Sequence, residues 1–220
     1  MLIRAVVADD ETSTRQALIR LLAPEVNIQV VGQAATGAEA VALTAGLHPD
    51  VLLLSITMPD MRGVEATRRI MRNPGAGARI VLLIPGGPDA FVYHALRAGA
   101  SGFLRKDASA AQLARAVRIA AAGDELIEPG PTIRLLHRFA EAAQLPVTDH
   151  DRPLTRSESR VLLLIAQGFS NREIAAALNL TGQEVGTDVR RILAKLHLRT
   201  RAQAALYACE SGIAPPGHEA

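Results

Sequence analysis

The residues of this chain that could do chemistry fall into two groups. The first comprises an acidic run, Asp9–Asp10–Glu11, a serine at the end of an apolar stretch, Ser55, and a lysine flanked by charge in Arg105–Lys106–Asp107. A serine hydroxyl is a nucleophile only when an adjacent base activates it, and no Ser/His/Asp pattern surrounds Ser55. His137 and His150 are too isolated to suggest a metal site. Pro85–Gly86–Gly87–Pro88 follows an apolar run but lacks the spacing of a phosphate-cradling loop. These absences argue against an enzyme. The second group is basic: residues 151–220 hold nine Lys/Arg against seven Asp/Glu, and the first 150 hold fifteen of each. The whole net charge of +2 therefore lies in the C-terminal third. An excess of two is a weak electrostatic signal and does not by itself establish nucleic-acid binding.

Composition bounds the rest. At 49% hydrophobic and 21% charged over 220 residues, the chain is long enough for two small domains with ordinary cores. Aromatics are 3% and Trp is absent, which excludes a base-stacking single-strand or RNA binder. Cys209, the single cysteine, reads as a buried thiol and allows no disulfide within the chain. The apolar run in MLIRAVVADD is too short for a signal peptide, and no stretch has the ~18 apolar residues of a membrane span. A soluble, cytoplasmic protein without membrane contact is expected.

The elements that must position the first group alternate. Strands are predicted at Ile3–Ala8, Ile28–Gln33, Val51–Ser55, Ile80–Ile84 and Gly102–Leu104, and helices near 12–22, 37–46, 63–72, 89–98 and 109–121. Continuous runs such as VLLL and IVLLI suit strands buried on both faces of a parallel sheet. Thr36 before Gly37–Ala38–Glu39 resembles a capping box, and Pro88 suits a first helical turn. Five βα units give an α/β doubly wound, five-stranded parallel sheet of flavodoxin-like, receiver-like type over residues 1–122. Sites in such folds lie at the carboxyl ends of the strands, which is where Asp9, Asp10, Ser55, Ile84, Pro85 and Lys106 fall.

The paired acids, the turn Met58–Pro59–Asp60–Met61–Arg62–Gly63 and the segment ALRAGASGFLRKD resemble bacterial response-regulator receiver domains across all of 1–122. The resemblance implies that Asp9 and Asp10 stand where the family holds Mg²⁺, and Lys106 where a lysine pairs with the phosphoryl group. It also implies that the family's phosphoacceptor aspartate falls on Ser55 and its hydroxyl-bearing switch residue on Ile84, with Pro85 next. Phosphotransfer to a receiver needs a carboxylate nucleophile beside the metal; serine supplies neither that nucleophile nor an anionic ligand, and Ile84 cannot donate to a phosphoryl oxygen. Aspartyl-phosphate signalling is therefore not expected. Asp9, Asp10 and Lys106 read as a retained ion-pair cluster, with a weak Mg²⁺ site at Asp9 and Asp10 as the other reading. No cofactor is expected.

Residues 123–152 read as a linker carrying a helix over 130–144 and ending in the polar, Pro-containing LPVTDHDRP. Gly123–Asp124 ends the last helix before it. From Leu154 the pattern becomes an all-α unit of four short helices, capped by Thr155, Ser170, Thr181 and Thr200, with Gly168 ending the first. Two short helices, a tight turn and a third helix suit a helix-turn-helix. The run LTRSESRVLLLIAQGFSNREIAAALNL with RRILAKLHLRTRAQA resembles the LuxR-type DNA-binding domain of NarL/FixJ response regulators over 153–213, leaving 214–220 as a tail.

That resemblance implies double-stranded DNA as partner, a homodimer on half-sites about one helical turn apart, and contacts from Arg172, Glu184, Thr187, Asp188, Arg190, Arg191, Lys195 and Arg199. Val185, Val189, Ile192 and Leu196 read as core. The recognition segment departs from the family's usual Thr-Val-Lys-Thr-His-Val: here it is Glu184–Val185–Gly186–Thr187–Asp188–Val189, so a groove-facing lysine becomes glycine and two acids approach phosphates. Either the protein regulates transcription independently of phosphorylation, under the control of abundance, a small-molecule ligand or a partner, or it heterodimerises with an intact regulator and antagonises it.

Overall fold

The computed structural model describes residues 2–73, 77–86, 90–123, 154–211 and 213, which form two compact units. The expected helix at 130–144, Pro88, His137, His150 and the side chain of Cys209 lie outside the described residues.

In the first unit β1 (Ile3–Ala8), β2 (Ile28–Ala34), β3 (Val51–Ser55), β4 (Arg79–Ile84) and β5 (Gly102–Arg105) form one parallel sheet in the order β2-β1-β3-β4-β5. Helices α1 (Thr12–Leu22), α2 (Gly37–Leu47), α3 (Gly63–Arg72), α4 (Ala90–Arg97) and α5 (Ala110–Ala121) connect and follow the strands. Alternate strand residues Ala5, Val7, Val51, Leu53, Val81 and Leu83 join Leu18 and Leu22 of α1 and Leu113, Ala114 and Val117 of α5 in one core. The intervening residues Val6, Leu52, Leu54 and Leu82 have no exposed surface either. Burial on both faces is the physical reason these strands read as unbroken apolar runs.

The chain passes from β1 outward to β2 and then returns to the other side of β1 with β3, so the order in which strands are added reverses between β1 and β3 while all stay parallel. The crevice at such a switch point is where ligands bind in open α/β sheets, and here it is bordered by Asp9 and Ser55. Several boundaries are set by local chemistry. The Thr36 hydroxyl accepts from Glu39 N to start α2, and Ser109 with Gln112 makes a capping box on α5. Gly123, at φ +78°, ends α5 in the left-handed region.

The loop from β3 to α3 is held tightly. Asp60 accepts from Gly37 N (2.8 Å) and Ala38 N (3.0 Å) at the start of α2. The Ala38 and Gly37 N–H groups hold the Asp60 carboxyl below the usual carboxylate range. At the other end of the loop, a Cβ on Gly63 would stand 2.7 Å from Ser55 O and 2.9 Å from Ile56 Cα. Backbone meets backbone there, with no flexible side chain to yield. Gly63→Ala is accordingly expected to destabilise the protein by about 2 kcal/mol, the range of overpacking, measured as a lower midpoint in urea unfolding.

The second unit is helical among the described residues: α6 (Arg156–Ala166), α7 (Asn171–Leu178), α8 (Gly182–Lys195) and α9 (Arg201–Glu210). Thr155–Glu158, Ser170–Glu173 and Thr181–Glu184 each form a complete capping box, and Thr200 exchanges hydrogen bonds with Gln203 to start α9. Gly168 (φ +85°) ends α6 and Asn179 (φ +54°) ends α7. Val161, Leu162, Ile165, Ile174, Val185 and Ile192 make the core with Ala204 and Leu206 of α9. Val189, expected inside, is only half-buried.

Candidate functional sites

At the carboxyl edge of the sheet, Asp9 has no exposed surface. Its Oδ1 accepts from Glu11 N (3.0 Å), and Lys106 Nζ lies 2.7 Å from Oδ2 as an ion pair rather than an aligned hydrogen bond. Lys106 is carried there by the end of β5, where Lys106 N donates to Ile84 O (2.8 Å). The Arg15 guanidinium closes in on the same residue and donates to Asp9 O at 2.7 Å. Of the other two acids, Asp10 is exposed. Glu11 accepts from Ser13 Oγ (2.6 Å) and Thr14 Oγ1 (2.7 Å), and those hydroxyls lower its pKa.

Ser55 is fully buried, and its hydroxyl turns onto its own loop: Oγ donates to Thr57 O (3.0 Å) and lies 3.3 Å from Thr57 Oγ1. Ser55 pairs with Leu83 in the sheet register, one residue before Ile84, which is 2% exposed; Pro85 beyond it is exposed. Among the described residues no base touches the Ser55 hydroxyl to activate it.

The donor set does not fit the divalent cation that receiver domains imply. Mg²⁺ needs near-octahedral oxygen donors with at least one or two free carboxylates. Here one Asp9 oxygen faces Lys106, the other caps Glu11 N, and Ser55 is neutral and committed to Thr57. Asp10 alone remains, and among the described residues no cluster of three or more His, Cys, Asp or Glu could hold a metal.

In the helical unit, α7, the turn at Asn179–Leu180 and α8 form the helix-turn-helix, and several side chains singled out from the sequence are occupied inside it. Glu184 is exposed and caps its own helix: its Oε2 accepts from Thr181 N and Thr181 Oγ1, both 2.8 Å, and the Thr181 donors lower its pKa. The T-x-x-E spacing carried that signal. Asp188 turns toward α6, where Ser157 Oγ donates to it (3.1 Å), and Arg191 lies 3.6 Å away. Lys195 is also not a free phosphate contact. Its Nζ stands 2.6 Å from Oε2 of Glu158, which is 3% exposed and also accepts from Thr155 N at 2.6 Å. Thirty-seven residues separate the pair, so no local pattern announces it.

Thr187 lies on the outer side of α8, its hydroxyl donating to Gln183 O (2.9 Å) and accepting from Arg190 (3.1 Å). Arg172, Arg190, Arg191 and Arg199 are exposed. Arg201, absent from the expected contacts, donates to Asn171 Oδ1 (2.6 Å) and to Phe169 O, fixing the approach to α7.

Comparison with known proteins agrees with this geometry. Residues 5–118 match the response regulator receiver domain family, and residues 152–208 match the bacterial regulatory proteins of the luxR family. The chain belongs to the LuxR-type response regulators. Response regulator protein VraR of Staphylococcus aureus is 36% identical over 213 residues, covering 97% of this chain and 99% of the relative. The signal receiver domain of a NarL response regulator from Mycobacterium tuberculosis is 36% identical, with TM-score 0.53, over 56% of this chain and 98% of that one. A LuxR-family two-component response regulator from Aurantimonas sp. is 31% identical, with TM-score 0.55, over 65% of this chain and 99% of that one. Membership brings the coarse function, DNA-binding regulation of transcription. No helix among the described residues is long and apolar enough to cross a membrane.

Two predictions follow from α8. Burial pushes the Glu158 carboxyl up, but Lys195 and the Thr155 donors outweigh it and hold the group below the usual range. A depressed pKa adds stability that is present above the unfolded value of ~4.3 and is lost as pH falls through the folded one. Lys195→Met should cost about 2 kcal/mol near neutral pH, less than a fully buried pair because Lys195 is 28% exposed. That deficit should shrink near pH 4 as Glu158 takes a proton, which denaturant titrations at both pH values would show. Gly186 sits mid-helix, and a Cβ there would meet nothing within 4 Å. Gly186→Ala is expected to stabilise the domain by ~0.5–1 kcal/mol, seen as a raised unfolding midpoint.

Proposed function

We propose that this LuxR-type response regulator controls transcription without aspartyl phosphorylation, its receiver being a degenerate one in which Ser55 occupies the phosphoacceptor position. The observation that carries this reading is the state of Ser55: a buried, neutral hydroxyl donating to Thr57 O where phosphotransfer requires a carboxylate. Ile84, Pro85 and Lys106 support it. A buried isoleucine offers no donor to a phosphoryl oxygen, and the lysine that would meet such a group is already paired with Asp9. Output then depends on abundance, on a protein partner or on a small molecule acting at the receiver.

The DNA-facing surface on this reading is the outer side of α8 with the exposed arginines 172, 190, 191 and 199, used by a homodimer on paired half-sites. The alternative, an antagonist that binds an intact regulator instead of DNA, draws on Glu184, Gly186 and Asp188 of the recognition helix. Glu184 caps α8 and Asp188 contacts Ser157, so neither stands as a charge aimed at phosphates, and the DNA-binding reading is favoured.

Incubation of the full-length protein with acetyl phosphate and Mg²⁺ should leave its intact mass unchanged. Its affinity for a selected DNA site should also stay within about twofold, an interval of ~0.4 kcal/mol. A phosphorylated species together with tighter DNA binding would overturn the proposal.

A further inference from the structure

The acids of α8 are engaged, Glu184 as the cap of its own helix and Asp188 with Ser157, and the polar side chains beside them are specific. Gln183, Thr187 and Arg190 succeed one another at helical spacing along α8, at the N-terminal half that enters the major groove in a helix-turn-helix. Gln183 is exposed, and no side chain among the described residues takes up its amide. Thr187 is the reverse case. Its single O–H is spent on Gln183 O, and its oxygen accepts from Arg190 Nη2. The polar capacity of its hydroxyl is largely used within the helix, so the contact this half-buried side chain has left to offer is its methyl group. Beside them, Gly186 offers open space where a Cβ would meet nothing within 4 Å.

Each of these features has a counterpart on a base edge. A glutamine amide, donor and acceptor side by side, matches adenine N7 and N6 in the major groove, and a threonine methyl matches the C5-methyl of thymine. Glu184 would have read cytosine N4, but its carboxylate is held by Thr181.

We propose that α8 reads an A·T-containing half-site, with the Gln183 amide on adenine and the Thr187 methyl on a neighbouring thymine, while Gly186 lets the helix approach the bases closely. This rests on the DNA-binding reading above and adds which residues specify sequence. Arg190 both orients Thr187 and remains exposed for a phosphate, so it positions the reader as well as anchoring it.

The test is selection of bound duplexes from a randomised library by the full-length protein, repeated with variants. The wild type should enrich half-sites with an invariant adenine next to a thymine. Gln183→Ala should lower the preference for that adenine by about tenfold, within the span of one good bidentate base contact, while leaving binding to non-specific DNA and its salt slope unchanged. Gln183→Glu should move the preference at that position toward cytosine. Thr187→Ser keeps the hydroxyl and removes the methyl, and should flatten only the neighbouring thymine. Glu184→Gln, which retains a capping side chain, should leave the selected sequence as it was.

An unchanged selected sequence in Gln183→Ala, or a shift produced by Glu184→Gln instead, would overturn the assignment while DNA binding itself stood. Failure of the wild type to enrich any sequence would overturn the DNA-binding reading and this assignment with it. Helical circular dichroism of each variant separates misfolding from altered reading. Because Gln183 is exposed and without a side-chain partner among the described residues, its variants are expected to fold.

Discussion

A carboxylate with no exposed surface cannot stand alone, and the arrangement of the receiver's carboxyl edge follows from how Asp9 is compensated. Its charge is met by Lys106, delivered from the far end of the sheet by β5, and its backbone oxygen by Arg15 of α1. Burying an uncompensated charge costs several kcal/mol, so Lys106 is committed to Asp9 as long as nothing stronger draws it away. An aspartate at the end of β3 would be such a competitor. Serine is not. The residue at position 55 therefore affects more than its own chemistry: with a neutral hydroxyl there, no second carboxylate at the end of β3 competes for the lysine that faces Asp9. The Ser55–Thr57 hydrogen bond and the Asp60 clasp on α2 then fix the adjoining loop.

The helical unit handles charge in the same way. Glu158 is buried at the first turn of α6 and answered by Lys195 from the last turn of α8, so one ion pair ties the start of the domain to the end of its recognition helix. Glu173 and Glu184 return to the backbone N–H groups that open their own helices, where a carboxylate also meets the positive end of the helix dipole. Acids that look ill-placed for a DNA-binding surface thus stabilise the helices that build it.

Much of the fold was legible because the features that specify it are local. Parallel strands buried on both faces must be apolar throughout, and VLLLS and IVLLI announced β3 and β4 to within a residue of their observed ends. Thr155, Ser170 and Thr181 likewise marked the starts of α6, α7 and α8, each of which opens with a capping box. At Thr181–Glu184 the T-x-x-E spacing carries the capping role, which the family's DNA-facing position does not. The Lys195–Glu158 and Asp188–Ser157 contacts were not legible, since each joins residues more than thirty positions apart and depends on how α8 packs against α6. Gln183 was not legible either: an uncharged amide carries no electrostatic signature, and only the engagement of the charged residues around it sets it apart.

These internal commitments bear on how such a protein could bind DNA at all. Non-specific affinity scales with the number of phosphates neutralised. On the proposed reading that number is small, because Lys195 serves Glu158 and Arg191 lies beside Asp188, leaving Arg172, Arg190 and Arg199 among the proposed contacts. A domain with few phosphate contacts holds random DNA weakly, so base readout contributes a larger share of the free energy that retains it at a site. Two copies acting together would supply the remainder, since joining two weak half-site contacts raises overall affinity without any new interaction at either. On that same proposed reading, a regulator not switched by a phosphoryl group would be governed by how many copies are available to pair, and weak half-sites would make occupancy depend steeply on that number.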